Sequence, residues 1–179
     1  MAEDIIKGME ANQIVLIIIP NEIYSDAIMD IAKQLSGKYK NICYVSLNKL
    51  YNSLIAALEK KGVNTGKFYF VDAITKTADP NFDGGKKCKC VSSPSHLTEI
   101  SLEISAGLKD NKPDCLLLDS LSTLLIYQKD EVVTQFVHSL VARLRSANCT
   151  TFFTALEGDT QRNLIKQLGM FVDKTIHYK

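Results

Sequence analysis

The stretch from Asp114 to Ser122 reads Asp-Cys-Leu-Leu-Leu-Asp-Ser-Leu-Ser, and it decides the fold class. Four apolar residues in a row, Cys115 to Leu118, predict a strand buried on both faces, which is typical of parallel sheets covered by helices. This strand ends at Asp119. Because open α/β sheets bind ligands at the carboxyl ends of their strands, Asp119 is the first candidate for a functional side chain.

Strand-like and helix-like segments alternate along the rest of the chain. The other predicted strands are Ile14–Ile19, Ile42–Leu47, Phe68–Val71, Thr151–Thr154 and Phe171–Ile176. Between them, apolar residues recur at helical spacing, and the longest such stripe runs from Val133 to Leu144. The alternation predicts a single three-layer α/β domain over residues 1–179, with a largely parallel central sheet and right-handed crossovers.

One segment, Thr75 to Lys89, interrupts this alternation. It contains Asp79-Pro80-Asn81, a Gly-Gly pair and several lysines, so the sequence predicts a long exposed polar loop over residues 75–89. Cys88 and Cys90 lie at its end, beside these lysines. We expect all the cysteines to be reduced thiols, and a redox or metal role for Cys88 and Cys90 is the alternative.

The composition limits the possible classes of function. The chain has 179 residues, of which 46% are apolar, and a net charge of +1. A nearly neutral chain argues against a nucleic-acid partner, which requires clustered positive charge. The longest apolar run is much shorter than a membrane span, and the acidic residues Glu3 and Asp4 do not resemble the basic start of a signal peptide. We therefore expect a cytoplasmic protein with no membrane partner.

Several short segments together resemble the archaeal KaiC-like branch of the RecA superfamily of ATPases. Tyr44–Leu47 looks like the second strand of that family, Phe70–Ala73 like the third, and Phe171–Ile176 like the strand that closes its core. Leu117–Ser122 resembles the family's Walker B segment, in which the Asp holds Mg²⁺ against the nucleotide phosphates. The resemblance implies that Asp119 and Ser120 are a remnant cofactor-binding site, with Asp119 as the Mg²⁺ ligand.

The same resemblance implies a RecA-like order of strands. The strand around Thr151–Thr154 should then lie between Ile14–Ile19 and the strand that ends at Asp119. A flavodoxin-like or receiver-like domain is an alternative α/β fold, and in the flavodoxin-like order Ile14–Ile19 would pair directly with Phe68–Val71. The strand neighbours of Ile14–Ile19 therefore distinguish the two folds.

The chain departs from the family at the residues that carry its chemistry. A phosphate loop, Gly-x-x-x-x-Gly-Lys-Ser/Thr, should follow the first strand, but the turn from Pro20 to Asp26 contains neither Gly nor Lys. Pro20 has no N–H, Asn21 is expected to cap the following helix, and Glu22 would repel a triphosphate. The family's catalytic Glu is also missing, because Asn48 follows the second strand and cannot act as a base.

These departures lead to three expectations. We expect no catalytic residue, no bound cofactor and no ATP hydrolysis. The alternative is an ATPase or nucleotide-binding switch that holds ATP and Mg²⁺ with a non-standard loop. Asp72, Asp119 and Glu157 all follow predicted strands, so they could form an acidic pocket for Mg²⁺ or a polar ligand. We favour the alternative that each of them caps a helix or a turn.

The segment from Leu121 to Tyr127 is unusually apolar for a short helix. Either it is buried, or it forms an exposed patch that marks an interface. The interface candidates are Leu121, Leu124, Leu125, Ile126 and Tyr127. Because no catalysis is expected, the sequence indicates a domain that acts through protein interaction, either as a homo-oligomer or in a complex with a related ATPase subunit.

Overall fold

The structure, a computed structural model, describes residues 12–179. The strands are β1 (Ile14–Ile19), β2 (Ile42–Ser46), β3 (Phe68–Asp72), β4 (Cys88–Cys90), β5 (Cys115–Asp119), β6 (Thr150–Leu156) and β7 (Lys174–His177). The helices are α1 (Tyr24–Lys38), α2 (Tyr51–Lys60), α3 (Thr75–Ala78), α4 (Leu97–Asp110), α5 (Leu121–Tyr127), α6 (Asp130–Ser146) and α7 (Asn163–Leu168). Among the described helices, none is long and apolar enough to cross a membrane.

The strands form one parallel sheet in the order β4-β3-β2-β5-β6-β1-β7. Strand β6 lies between β1 and β5, with Ile14 opposite Thr151 and Cys115 opposite Thr150. Strand β1 does not neighbour β3, as a flavodoxin-like order would require. The prediction of a three-layer, RecA-like α/β fold with a parallel sheet is therefore confirmed.

Helices cover both faces of the sheet, and each face has its own apolar core. Alternate residues of β1 point to opposite sides, so Leu16 packs under α4, α5, α6 and α7, whereas Ile17 packs under α1 and α2. The central strands β1, β2, β3 and β5 are buried at every position. Burial on both faces explains why these strands are continuous apolar runs rather than alternating ones.

The segment Thr75 to Lys89 is more ordered than the predicted loop. It begins with α3, ends with a 3₁₀ turn at Gly85–Lys87, and its last two residues belong to the edge strand β4. In β4, Cys88 is buried, Lys89 is exposed and Cys90 is half-buried. Three residues among lysines are too short a pattern to predict a strand, so the loop was predicted too long.

The last strand also begins later than predicted. The N–H groups of Phe171 and Val172 donate to the carbonyl of Leu168, so both residues belong to the turn that closes α7. Strand β7 starts at Lys174 and pairs with β1 at the sheet edge. The apolar residues Phe171 and Val172 pack on the core from this turn, and their apolar character explains the misplaced start.

Candidate functional site

Asp119 lies at the carboxyl end of β5 and is only 1% exposed. Its Oδ1 accepts hydrogen bonds from the Tyr24 hydroxyl at 2.6 Å and the Asn48 amide at 2.9 Å. Its Oδ2 accepts one from the Tyr44 hydroxyl at 2.8 Å. We call these four residues the Asp119 cluster. Both oxygens of the carboxylate that the sequence assigned to Mg²⁺ are therefore bonded to the protein itself.

The donors reach Asp119 from three different parts of the fold. Tyr44 lies on β2, which neighbours β5, and Asn48 follows the end of β2. Tyr24 is the first residue of α1, directly after a 3₁₀ turn that occupies the expected position of a phosphate loop. The Tyr24 hydroxyl also lies 2.8 Å from Thr154 Oγ1 on β6. The start of α1 is thus linked to β5 and β6 through one hydroxyl group.

Burial controls the protonation of the Asp119 cluster. Burial raises the pKa of Asp119, and the hydrogen bonds from Tyr24, Tyr44 and Asn48 oppose this rise. Burial, and then the nearby Asp119 carboxylate, raise the pKa of Tyr24 and of Tyr44 well above the usual range. Both tyrosines therefore keep their protons, and neutral donors rather than a bonded cation stabilise the carboxylate.

Ser120 and Thr123 continue the hydrogen-bond network beneath this cluster. Ser120 Oγ accepts from the Thr123 N–H at 3.4 Å and is the N-cap of α5. The Thr123 hydroxyl donates to Asn48 Oδ1. The Asp119–Ser120 peptide bond is cis. Ser120, predicted as a cofactor-binding residue, is buried and has a role in starting a helix.

Asp72 does not form a common acidic site with Asp119. The two carboxylates lie on either side of β2, because Ser46 is opposite both residues. Asp72 accepts from the N–H of Ile74 at 2.9 Å and from the N–H and hydroxyl of Thr75 at 2.7 and 2.5 Å. It therefore holds the turn that leads into α3, which is the capping role that the sequence favoured.

The positions and contacts of Glu157 and Asn21 also do not match those expected of a nucleotide site. Glu157 is exposed and begins a 3₁₀ turn after β6. The Asn21 side chain was expected to cap α1, but its Oδ1 accepts from the Gly158 N–H at 3.2 Å, and it is not the N-cap of that helix. The cap prediction for Asn21 was wrong, because a residue far away in sequence supplies its partner.

A pocket of about 390 Å³ opens beside the Asp119 cluster. Ile28, Ile126 and Leu156 contribute apolar side chains to its wall, and Lys49 and Arg162 contribute positive charge. Arg162 is already paired with Asp130 at 2.6 Å. Among residues 12–179, no group of three or more His, Cys, Asp or Glu side chains could hold a metal ion. The pocket has room for a small molecule, and of the two carboxylates in its lining, Asp119 and Asp159, the first is already engaged by donors of its own chain.

The predicted interface segment divides into a buried part and an exposed part. Leu121, Leu124 and Leu125 are buried in the core, so their assignment to an interface was wrong. They recur at helical spacing, which turns one side of α5 towards the sheet. Ile126 is 79% exposed and Tyr127 is 44% exposed. Only these last two residues of α5 can contact a partner.

Comparison with known proteins identifies the fold and the family. The KaiC-like protein PH0186 from the hyperthermophilic archaeon Pyrococcus horikoshii OT3 has a similar structure, with a TM-score of 0.65 over 93% of this chain and 71% of that chain. The two sequences are 13% identical, so the likeness concerns the fold alone. No curated protein matches the sequence. The family described as a family of unknown function (DUF7504) matches residues 56–178, which is more than half of the chain, and the protein therefore belongs to DUF7504.

Proposed function

We propose that this protein is a non-hydrolysing RecA/KaiC-like domain that acts by binding another protein subunit. One observation carries the first half of the proposal: Asp119 is buried, and three donors of its own chain occupy both of its oxygens. Mg²⁺ in nucleotide sites binds through one or two carboxylates together with the substrate phosphates. An engaged carboxylate without a phosphate loop supports a domain that has lost this chemistry.

The engaged Asp119 carboxylate and the missing phosphate loop together remove most of the catalytic machinery. Positioning and electrostatic stabilisation of the phosphates supply nearly all of the rate of phosphoryl transfer. Here the turn after β1 begins with Pro20 and leads directly to Tyr24, whose hydroxyl points at the carboxylate. We therefore expect neither a cofactor nor a catalytic residue in the working protein.

An exposed apolar surface supports the second half of the proposal. Leu102, Ile126, Tyr127 and Val132 are the exposed apolar residues of α4, α5 and α6 on one face, and we call them the apolar patch. Leu102 and Val132 line one groove together with Gln128, and Gln128 also lines a groove with Ile126 and Tyr127. The two grooves meet at Gln128, so the four side chains lie around one part of the surface, and exposed apolar side chains that cluster in this way are typical of an interaction site.

We propose that a second copy of this chain covers the apolar patch. The net charge of +1 leaves little repulsion between copies, and near-zero net charge favours association. A specific contact would have to bury about 1,000 Å² or more in total. A complex with a related ATPase subunit is the alternative partner, and it uses the same surface.

Calorimetric titration with ATP and Mg²⁺, together with a phosphate-release assay, tests the loss of catalysis. We expect no phosphate release above background. Release that disappears in Asp119→Asn would contradict the proposal, whereas release that persists in this variant identifies a contaminating ATPase. If ATP binding produces heat but no phosphate is released, the domain is non-hydrolysing and has a nucleotide as its ligand.

Analytical ultracentrifugation of Ile126→Asp tests the assembly. We expect the wild-type protein to self-associate and Ile126→Asp to shift it towards the monomer, with a change in stability within about 0.5 kcal/mol because the residue lies on the surface. Met170→Asp is the matched control, because Met170 is 74% exposed and lies outside the apolar patch. A wild-type protein that remains monomeric at every concentration would rule out self-association.

A small-molecule site is the second candidate function. The pocket beside the Asp119 cluster has a volume of about 390 Å³, within the range of ligand sites, and Lys49 adds a positive charge to its wall. Nucleotide binding with a non-standard loop would use this pocket. The calorimetric titration tests this candidate directly, because the candidate requires saturable heat on addition of ATP and Mg²⁺.

A further inference from the structure

Cys88 and Cys90 form a close pair of thiols at the edge of the sheet. They lie two residues apart on β4, and their Sγ atoms are 3.8 Å apart. Residues two apart on a strand face the same side, so the two thiols point the same way. Cys43, Cys115 and Cys149 are the other cysteines, and each is fully buried in the core. The pair at β4 is therefore chemically distinct from the rest.

The pair can be reached from solvent through a small pocket. Cys90 is half-buried, and both cysteines line an opening of about 240 Å³ whose rim carries Lys76 and Lys89. Gly84 lies against Cys88 so closely that a Cβ at position 84 would meet Cys88 Cβ at 2.4 Å and Sγ at 2.7 Å. The loop thus holds the inner thiol, Cys88, against the outer one, Cys90.

We propose that Cys88 and Cys90 are a redox-active dithiol, which a hydroperoxide oxidises to an intramolecular disulfide. A tetrahedral zinc site does not account for the pair, because residues 12–179 contain no group of three or more His, Cys, Asp or Glu that could supply the ligands. Two adjacent thiols, one accessible and one held behind it, are the arrangement that forms a disulfide after the first oxidation.

The reaction proceeds in two balanced steps. Cys90, as thiolate, attacks an oxygen of the hydroperoxide and the O–O bond breaks, which gives Cys90 sulfenic acid. The departing alkoxide takes up the proton that Cys90 lost and leaves as the alcohol, or as water when the oxidant is hydrogen peroxide. Cys88 then attacks the sulfenic sulfur, the S–S bond forms, and water leaves. The dithiol loses two electrons to the peroxide. Burial, and then the neighbouring Cys90 and Asp72, raise the pKa of Cys88, which makes Cys88 the poorer first nucleophile and leaves the attack on the peroxide to Cys90. In the second step the departing hydroxyl takes up the proton of Cys88.

Closing the disulfide changes the shape of β4. Residues that are two apart on an extended strand lie about 6.6 Å from Cα to Cα, which is near the upper end of the range of about 4.4–6.8 Å found for disulfides, and most disulfides lie at about 5.5–6 Å. Closing the disulfide therefore favours a shorter β4, which strains its pairing with β3 at Phe70 and Asp72. Because β4 has three residues and a single neighbouring strand, the sheet can accommodate this change. Oxidation then alters the edge of the sheet and the loop over residues 79–87.

Thiol counting and peptide mapping after exposure of the folded protein to hydrogen peroxide test the proposal. The reduced protein contains five thiols, and we expect the loss of two of them. Trypsin cleaves after Lys89, so only a disulfide can keep the dipeptide Cys88–Lys89 joined to the peptide from Cys90 to Lys109. A linked species that is 2 Da lighter than its separated halves is the expected product, and reductant should restore five thiols.

Single variants distinguish the two roles. In Cys88→Ser, dimedone should trap a sulfenic acid at Cys90 and no disulfide should form. In Cys90→Ser, consumption of peroxide should fall to the rate of the double variant Cys88→Ser/Cys90→Ser. Circular dichroism checks that each variant is folded. Five thiols after peroxide treatment, disulfides between two chains, or equal peroxide consumption in the double variant would overturn the proposal.

Discussion

Asp119 and Asp173 are two aspartates at opposite ends of the same sheet, and their surroundings shift their pKa values in opposite directions. Asp173 precedes β7 and accepts from the N–H groups of Gln13 and Ile14 at 2.9 and 2.8 Å. It also pairs with Arg145 at 2.7 Å. Arg145, followed by these N–H groups, lowers the pKa of Asp173, whereas burial raises that of Asp119.

The difference shows what each carboxylate contributes to the fold. Asp173 has a cation and remains partly exposed, so its charge stabilises the folded protein by fastening β1 to α6. Asp119 is buried among neutral donors, so its charge is tolerated only because every donor is in place. A structural aspartate at the amino end of the strands thus contrasts with one at the carboxyl end, where the resemblance to RecA-like ATPases predicts a Mg²⁺ ligand.

The largest effect is expected from Tyr44→Phe. This change removes the hydroxyl that donates to Asp119 Oδ2, so this buried carboxylate oxygen loses its hydrogen bond. We expect the free energy of unfolding to fall by about 3 kcal/mol, because an uncompensated buried charge is strongly destabilising. Urea denaturation measures the change.

Tyr127→Phe is the control and should cost under about 0.5 kcal/mol, since Tyr127 is on the surface. Equal losses in the two variants would refute a special role for the Asp119 cluster.

Asp173→Asn should have the next largest effect. It removes the ion pair with Arg145 and weakens the hydrogen bonds to the start of β1, so we expect a loss of about 2 kcal/mol at pH 7. A lowered pKa means that the stabilisation is complete above the unfolded pKa of about 4 and is lost as the pH falls through the folded pKa. The difference between wild type and variant should therefore shrink below about pH 4. A difference that is constant from pH 7 to pH 3 would contradict this account.

Asp119→Asn should change stability least, within about 1 kcal/mol at pH 7, because the lost desolvation cost offsets the weaker hydrogen bonds. The raised pKa of Asp119 means that its charge costs stability above the folded pKa and that this cost disappears as the pH falls through it. Stability of the wild type relative to the variant should therefore increase on acidification, which is opposite to Asp173→Asn. Parallel pH series for the two variants measure the contrast, and the same sign in both would exclude it.

Most of the fold follows from the sequence because the central strands are long and fully buried. The strand Ile14–Ile19 is predicted to within one residue, since six apolar residues run without interruption after Gln13. Strand β4 and the start of β7 are not predicted correctly, because three residues among lysines and a turn rich in apolar residues carry ambiguous patterns. The position of β6 between β1 and β5 came from the resemblance to a family rather than from periodicity.

The candidate site was predicted less completely. Asp119 was found from its place at the end of a strand, but the hydroxyl groups of Tyr24 and Tyr44 were not. Tyr24 lies 95 positions away from Asp119 and Tyr44 lies 75 away, and local pattern cannot report which distant side chains converge. A tyrosine in the middle of an otherwise apolar strand, as at Tyr44, was the available signal, because a buried hydroxyl requires a partner.

Tyr24 also bears on whether a phosphate loop could be built into this protein. It is the first residue of α1, so a grafted phosphate loop that replaced residues 20–26 would remove the Tyr24 hydroxyl together with the old turn. Asp119 would then lose one of its donors before any nucleotide had bound, and only a metal ion with its phosphates could replace the missing partner. Intermediates that carry part of the change would be less stable than either end point. The Tyr24 hydroxyl therefore couples the turn after β1 to Asp119, and introducing a phosphate loop would require several changes made at once.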